Sequence, residues 1–321
     1  MPFREVPLPA APGMPFRELP LPMAAGGPAP PGLRCMPLHP NGVGVLVLAG
    51  SSGRVDADRA RVLASTGAVT ESIQWFGGLG LQPGPFEVPV ELFQERIEAL
   101  AREADRVVLV GTSFGAEASL VVASVTPRVA GVAAFAPSRV IWAGVRPDGT
   151  QTSHWTLNGM PLPFVSLAED WEPDTDPPAF IGCYRRSLEQ ASSERITAAS
   201  IAVERIPEVL LVAGGDDLVW PSVDAAEAIV SRRQAAGRHT EVVVLAEAGH
   251  RTVLPGEPEV SAGMRMARGG TPEADRALGA AAWPALHRLI AGPTSSALRS
   301  QRTPGVTRPS PASFGVVDSA L

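Results

Sequence analysis

Cysteine is scarce in this chain: Cys35 and Cys183 are the two present, far apart and outside any paired spacing. That excludes a disulfide framework and a cysteine-based metal cluster, and it fits a reducing, cytoplasmic setting. Positive charge is also in short supply, with 27 basic against 33 acidic residues and a net charge of -6. A nucleic-acid surface needs a concentrated basic patch, so no nucleic-acid partner is expected. Long apolar runs are missing too, and none reaches the length of a membrane span. The N-terminal stretch is broken repeatedly by proline, which removes the uninterrupted apolar core of a secretory signal. No motif for a metal or a cofactor stands out, and none is expected.

The N-terminal stretch instead holds an imperfect repeat. Met1-Pro2-Phe3-Arg4-Glu5-Val6-Pro7-Leu8-Pro9 returns as Met14-Pro15-Phe16-Arg17-Glu18-Leu19-Pro20-Leu21-Pro22. Met14 could serve as a second start, with a short first strand over 16–21. Residues 1–34 read as a Pro-rich, largely disordered leader, 35–292 as one catalytic domain, and 293–321 as a disordered tail rich in Ser, Pro and Arg. Both ends are expected to be dispensable.

Between them, strand and helix signals alternate. Residues 44–49 form an apolar run that ends in the turn Gly50-Ser51-Ser52-Gly53, and 56–65 has helical spacing. A strand is expected over 68–75. From Pro89 onward Val90, Phe93, Ile97, Leu100 and Ala101 recur at three- and four-residue intervals, which marks an amphipathic helix. Further helices are expected over 116–125, most of 179–204, 222–236 and 271–291, and a strand over 130–136. This alternation predicts an α/β fold with a mostly parallel central sheet and helices on both faces. Residues 137–178 break it, and this irregular, Trp-, Pro- and Asp-rich insertion is expected to form a lid.

One strand ends in chemistry. Residues 105–110 are followed by Gly111-Thr112-Ser113-Phe114-Gly115, the pattern of a nucleophile elbow. A serine hydroxyl is a weak nucleophile at neutral pH, so it must be lifted from the sheet and presented to a base. Two later apolar runs end in the residues needed to activate it. Residues 209–213 lead through Gly214-Gly215 to Asp216-Asp217, and 241–245 lead through Ala248-Gly249 to His250. Ser, Asp and His therefore follow in the chain order of an α/β-hydrolase.

Of the adjacent acids, Asp217 suits the orienting role, three residues beyond Gly214, while Asp216 would bond to loop amides. Asp224 reads instead as a carboxylate in the first turn of a helix. Among the five histidines, His39, His239 and His287 read as surface or packing residues, and His154, in the insertion, could touch substrate together with Trp155. For the oxyanion of an acyl-transfer intermediate, the amide of Phe114 and the turn at Ser51 are the expected donors, with Ser52 beside them at the substrate.

With the triad placed, the flanking segments resemble the C-terminal catalytic domain shared by acyl-CoA thioesterases and bile acid-CoA:amino acid N-acyltransferase, a dienelactone-hydrolase-like branch of the α/β-hydrolases. Similar stretches are Val47-Leu48-Ala49-Gly50-Ser51-Ser52-Gly53, Gln74-Trp75-Phe76-Gly77, Gly111-Thr112-Ser113-Phe114-Gly115-Ala116-Glu117 and Trp155-Thr156-Leu157-Asn158-Gly159-Met160-Pro161-Leu162-Pro163. Others are Ile201-Ala202-Val203-Glu204-Arg205-Ile206, Gly214-Gly215-Asp216-Asp217-Leu218-Val219-Trp220-Pro221-Ser222, and Gly269-Gly270-Thr271-Pro272-Glu273-Ala274 running into Ala282-Trp283-Pro284. The resemblance implies attack on an acyl thioester, release of the thiol and hydrolysis of an acyl-enzyme, with Ser113, Asp217 and His250 as the triad and a small acyl ester or thioester as substrate. Members that conjugate amino acids carry cysteine at the nucleophile, so Ser113 points to water as the acceptor; a carboxylesterase, an acyltransferase that uses an amine or alcohol, and a non-catalytic binding protein on the same fold are the alternative readings. Larger members carry an N-terminal immunoglobulin-like sandwich, which the Pro-rich residues before Val43 cannot supply. Phe114 stands where many members have lysine, which makes the pocket floor more apolar.

Overall fold

The computed structural model describes residues 14–21, 30–259 and 263–291. The repeat copy at 1–13 and the tail from 293 lie outside them. Eight strands form the central sheet: β1 (Phe16–Leu19), β2 (Gly32–Pro37), β3 (Val43–Leu48), β4 (Val69–Ile73), β6 (Arg106–Thr112), β7 (Val129–Phe135), β12 (Glu208–Gly214) and β13 (Glu241–Leu245). Five short strands lie outside it, namely β5 (Val88–Pro89), β8 (Ala143–Val145), β9 (Gln151–Ser153), β10 (Trp155–Leu157) and β11 (Met160–Pro161). The helices are α1 (Ala57–Ala64), α2 (Val90–Ala101), α3 (Phe114–Val125), α4 (Ile181–Gln190), α5 (Ser193–Ala199), α6 (Ser222–Ala235) and α7 (Pro272–Ala291).

Strand order in the central sheet is β1-β2-β4-β3-β6-β7-β12-β13. β2 runs antiparallel to both β1 and β4, and the pairs from β4 to β13 are parallel. This is the α/β-hydrolase arrangement. Strand order reverses between β3 and β6, because the chain leaves β3 toward one edge and later returns to build toward the other. Open α/β sheets place ligands at such a reversal, outside the carboxyl ends of the strands.

The period-two geometry of a strand divides each run between two cores. Leu46, Leu48, Val107 and Leu109 pack with Phe93 and Ile97 of α2 and Ala116 and Leu120 of α3. Val45, Val47, Val108 and Val110 face the other way, onto Ala60 and Leu63 of α1 and Leu278, Leu286 and Ile290 of α7. Helices thus cover both faces, and β3 and the centre of β6 between them are buried without alternation.

Three departures from the sequence reading concern the chain's organisation. A boundary at residue 35 would cut β2, which begins at Gly32 and pairs along its length with β4 and β1. Residues 137–178 are not wholly irregular, since they hold β8 to β11, with β8 paired to β9 and β10 to both β11 and β5. Their first part is built into the body of the protein, with Trp142, Ser153 and Trp155 buried.

β2 lacks the unbroken apolar signature of a buried strand because Arg34 lies within it. Arg34 is buried and donates to Glu71 Oε1 at 3.0 Å, while Arg96 of α2 donates to Glu71 Oε2 at 2.8 Å and 3.0 Å. Arg34 also reaches Glu103 at 2.7 Å. One carboxylate of β4 thereby joins β2 and α2 through the core. Removing one partner of a buried ion cluster leaves uncompensated charge, so Glu71→Ala is expected to destabilise the protein by about 3–5 kcal/mol. A denaturant midpoint equal to that of the parent would refute this account of the β2 edge.

Candidate active site

Ser113 occupies the turn between β6 and α3 with φ 57° and ψ -122°, a conformation that a residue with a side chain adopts only when its surroundings enforce it. They do so here through close packing. A Cβ on Gly111 would stand 2.0 Å from the Gly115 carbonyl oxygen, and one on Gly115 would stand 2.3 Å from that of Leu48. The Ser113 N–H donates to the Phe135 carbonyl at 2.8 Å, and the Ser113 carbonyl accepts from the Glu117 N–H at 3.0 Å. Ser113 is 7% exposed.

His250 and Asp217 reach the same edge of the sheet, following β13 and β12. The imidazole Nδ1 lies 3.0 Å from Asp217 Oδ1 and 2.9 Å from Oδ2. A carboxylate only accepts, so it draws the ring proton to Nδ1 and leaves Nε2 with its lone pair. The carboxylate is itself held. Its Oδ1 accepts from the Val219 N–H at 2.8 Å and the Trp220 N–H at 3.2 Å, and its Oδ2 from the Ser222 hydroxyl at 2.8 Å.

Asp216, exposed beside it, turns away: its Oδ2 accepts from the Gly270 N–H at 2.7 Å, a bond to a loop amide. Asp224 sits in the first turn of α6. The His250 N–H donates to the Arg268 carbonyl at 2.9 Å, and the preceding Gly249 N–H to Asp275 Oδ1 at 2.8 Å. Burial raises the Asp275 carboxyl above its ordinary range, against the hydrogen bond from Gly249.

The expected oxyanion elements lie against the serine. A Cβ on Gly50 would stand 3.1 Å from Ser113 Cβ and 3.7 Å from its Oγ, so the turn that follows β3 touches the Ser113 turn. Gly53 N–H closes that turn onto the Gly50 carbonyl at 2.9 Å, and Ser51 and Ser52 are exposed on it. Phe114 opens α3, and the first amides of a helix have no acceptor within it.

His154 and Trp155 are placed differently from the sequence reading, being 1% and 0% exposed. Glu117 holds both, its Oε1 lying 3.0 Å from His154 Nδ1 and accepting from Trp155 Nε1 at 2.8 Å and from the Trp142 N–H at 3.2 Å. Both are therefore enclosed by packed side chains in this structure. Glu117 itself was legible only as part of the elbow segment, and nothing local signals that its carboxylate goes inward.

The His154 ring stacks 4.4 Å from that of Phe114, which lies 5.6 Å from Trp220. Trp220 in turn meets the His250 ring edge-on at 6.1 Å and fixes its own indole by donating to the Ala136 carbonyl. Aromatic packing therefore runs from His154 through Phe114 and Trp220 to the imidazole. On the other side the loop after His250 is basic. The Nη2 atoms of Arg251 and Arg268 both lie within 3.4 Å of the point a Cβ on Gly263 would occupy. Burial, with Arg268 and Arg54 nearby, pushes the Arg251 guanidinium down to about 10.

The sequence profile of the BAAT and acyl-CoA thioester hydrolase C-terminal family matches residues 88–290. Among curated proteins, none matches the chain. Similar solved structures include the esterase domain of a Rhodothermus marinus protein, at 17% identity over 74% of this chain and 90% of that one, with a TM-score of 0.44. A carboxyl esterase from the fungus Tuber melanosporum is 14% identical over 75% and 79%, with a TM-score of 0.44. A dienelactone hydrolase-like promiscuous phosphotriesterase from metagenomic libraries is 16% identical over 87% and 98%, with a TM-score of 0.46. Among the described residues no helix is long and apolar enough to cross a membrane.

Proposed function

The chain belongs to the BAAT and acyl-CoA thioester hydrolase C-terminal family, a hydrolase of ester or thioester bonds, and we propose that it acts on acyl thioesters through a Ser113-His250-Asp217 triad. The observation that carries this reading is the Asp217-held imidazole of His250 on the same sheet edge as the strained Ser113 turn. In the proposed cycle Ser113 Oγ attacks the acyl carbon while His250 Nε2 takes its proton. The amide of Phe114 and the turn at Ser51 hold the oxyanion. Collapse breaks the carbon–sulfur bond, and His250 returns the proton to the departing thiolate. Water, deprotonated by the same imidazole, then attacks the acyl-enzyme, releasing the acid and regenerating Ser113. The two free, buried cysteines support a cytoplasmic setting.

The basic loop around Arg251 and Arg268 supports a leaving group that carries phosphates, as coenzyme A does. Remote binding energy of that kind reaches the transition state only when the whole group is present. For matched acyl chains, kcat/KM corrected for uncatalysed rates is therefore expected to be higher for the coenzyme A thioester than for the oxygen ester. It should fall by at least about tenfold for the N-acetylcysteamine thioester, as loss of remote contacts worth ~1.4 kcal/mol would produce. Equal handling of the truncated and full thioesters would replace this reading with that of a general acyl hydrolase.

A further inference from the structure

Arg59 lies outside the chemistry assigned above, yet its guanidinium reaches both loops that carry it. It sits in α1 and is 5% exposed. Its Nε donates to Glu257 Oε1 at 2.7 Å, and Nη2 donates to Glu257 Oε2 at 3.0 Å and to the Thr252 carbonyl at 2.9 Å. Nη1 donates to Thr112 Oγ1 at 2.5 Å, and the guanidinium carbon lies 4.7 Å from the centre of the Phe135 ring.

Each of these partners is one short step from a proposed catalytic group. Thr112 immediately precedes Ser113. Phe135 supplies the carbonyl that accepts the Ser113 N–H. Thr252 is two residues beyond His250, and Glu257 Oε2 also accepts from the Leu254 N–H at 2.8 Å, which closes the loop between them.

The sheet alone does not align serine with histidine. β6, which carries Ser113, is separated from β13, which leads to His250, by β7 and β12. The base therefore stands on a loop three strands away, where an error of about 1 Å in the reacting geometry can lower the rate on the order of 100-fold. A planar guanidinium with donors in fixed directions can span two such loops, whereas an ammonium is a single point of attachment.

We infer that Arg59 is a positioning residue, one that fixes the separation of Ser113 and His250 by binding Thr112 and the Thr252 carbonyl at once. This rests on the triad reading above. It also distinguishes two jobs of the same side chain. The ion pair with Glu257 contributes to folding, while the bridge between the loops contributes to rate.

Arg59→Lys tests the distinction, because lysine keeps a cation beside Glu257 but cannot span both loops. Thr112→Val removes one acceptor from the bridge with little change of shape, and decides the matter if the lysine variant does not fold. The readouts are steady-state kcat and KM on an activated acyl ester, the thermal midpoint, and the rate at which a fluorophosphonate labels the protein, with the labelled residue located by mass spectrometry.

We expect kcat and the labelling rate to fall together by roughly 10- to 100-fold in Arg59→Lys. Thr112→Val should show a smaller fall, still above threefold. KM should stay within threefold and the thermal midpoint within a few degrees. A folded variant of either kind that keeps kcat and labelling within threefold of the parent would overturn the inference, leaving Arg59 as a fold contact. If the parent itself is not labelled at Ser113, the triad reading fails and this inference falls with it. Parent-like labelling of the variants at Ser113 would sink the inference alone.

Discussion

Ser113→Ala is expected to lower turnover of an acyl thioester by on the order of a thousandfold or more, because triad members act as a unit and loss of the nucleophile leaves only binding and oxyanion effects. The structure specifies what should accompany that loss. The turn is enforced by the tight approaches at Gly111 and Gly115 and by the Ser113 N–H bonded to the Phe135 carbonyl. Alanine keeps that amide and adds no atom, so the thermal midpoint should stay close to that of the parent. Substrate binding should persist, measurable as protection or as an unchanged KM for residual activity. Near-normal hydrolysis by Ser113→Ala would remove serine from the mechanism, and collapse of the fold would show that the hydroxyl is structural. The two results are separable, since circular dichroism reads one and turnover the other.

The elbow was readable from sequence because every requirement is local: an apolar run, two glycines four positions apart and a serine between them. Asp217 and His250 were readable for the same reason, each being the polar residue that ends an apolar strand. What stayed hidden depends on atoms that arrive from far along the chain. Arg59 lies among the helical positions of 56–65 and looks like part of a solvated face, but its carboxylate partner is 198 residues away. Arg34 hid β2 because a buried charge breaks the apolar pattern that marks a strand, and its partner Glu71 comes from β4. His154 and Trp155 looked available to substrate because their segment lacks periodicity. The contacts that bury them come from Glu117 on α3, whose inward direction follows from the packing of three elements.

Asp217→Asn should also cost heavily, with a fall in kcat on the order of a thousandfold or more as the wrong imidazole tautomer is stabilised. Four donors converge on this carboxylate: the amides of Val219 and Trp220, the Ser222 hydroxyl and His250 Nδ1. Asparagine has one acceptor oxygen and one donor nitrogen. If its oxygen stays with the two backbone amides, its NH2 meets His250 and makes Nδ1 an acceptor, which moves the ring proton to Nε2, where the serine needs a lone pair. If instead its oxygen turns to the imidazole, its NH2 opposes two backbone donors, at a stability cost of about 1–3 kcal/mol. Asp216→Asn places an equivalent oxygen near Gly270 and leaves the imidazole untouched, so its kcat should stay within about threefold of the parent, a difference under 1 kcal/mol in barrier. Measuring kcat and thermal midpoint for both variants decides between the adjacent acids. Should Asp216→Asn be the more damaging for kcat while Asp217→Asn turns over normally, the histidine would be oriented by something other than the carboxylate that now holds it.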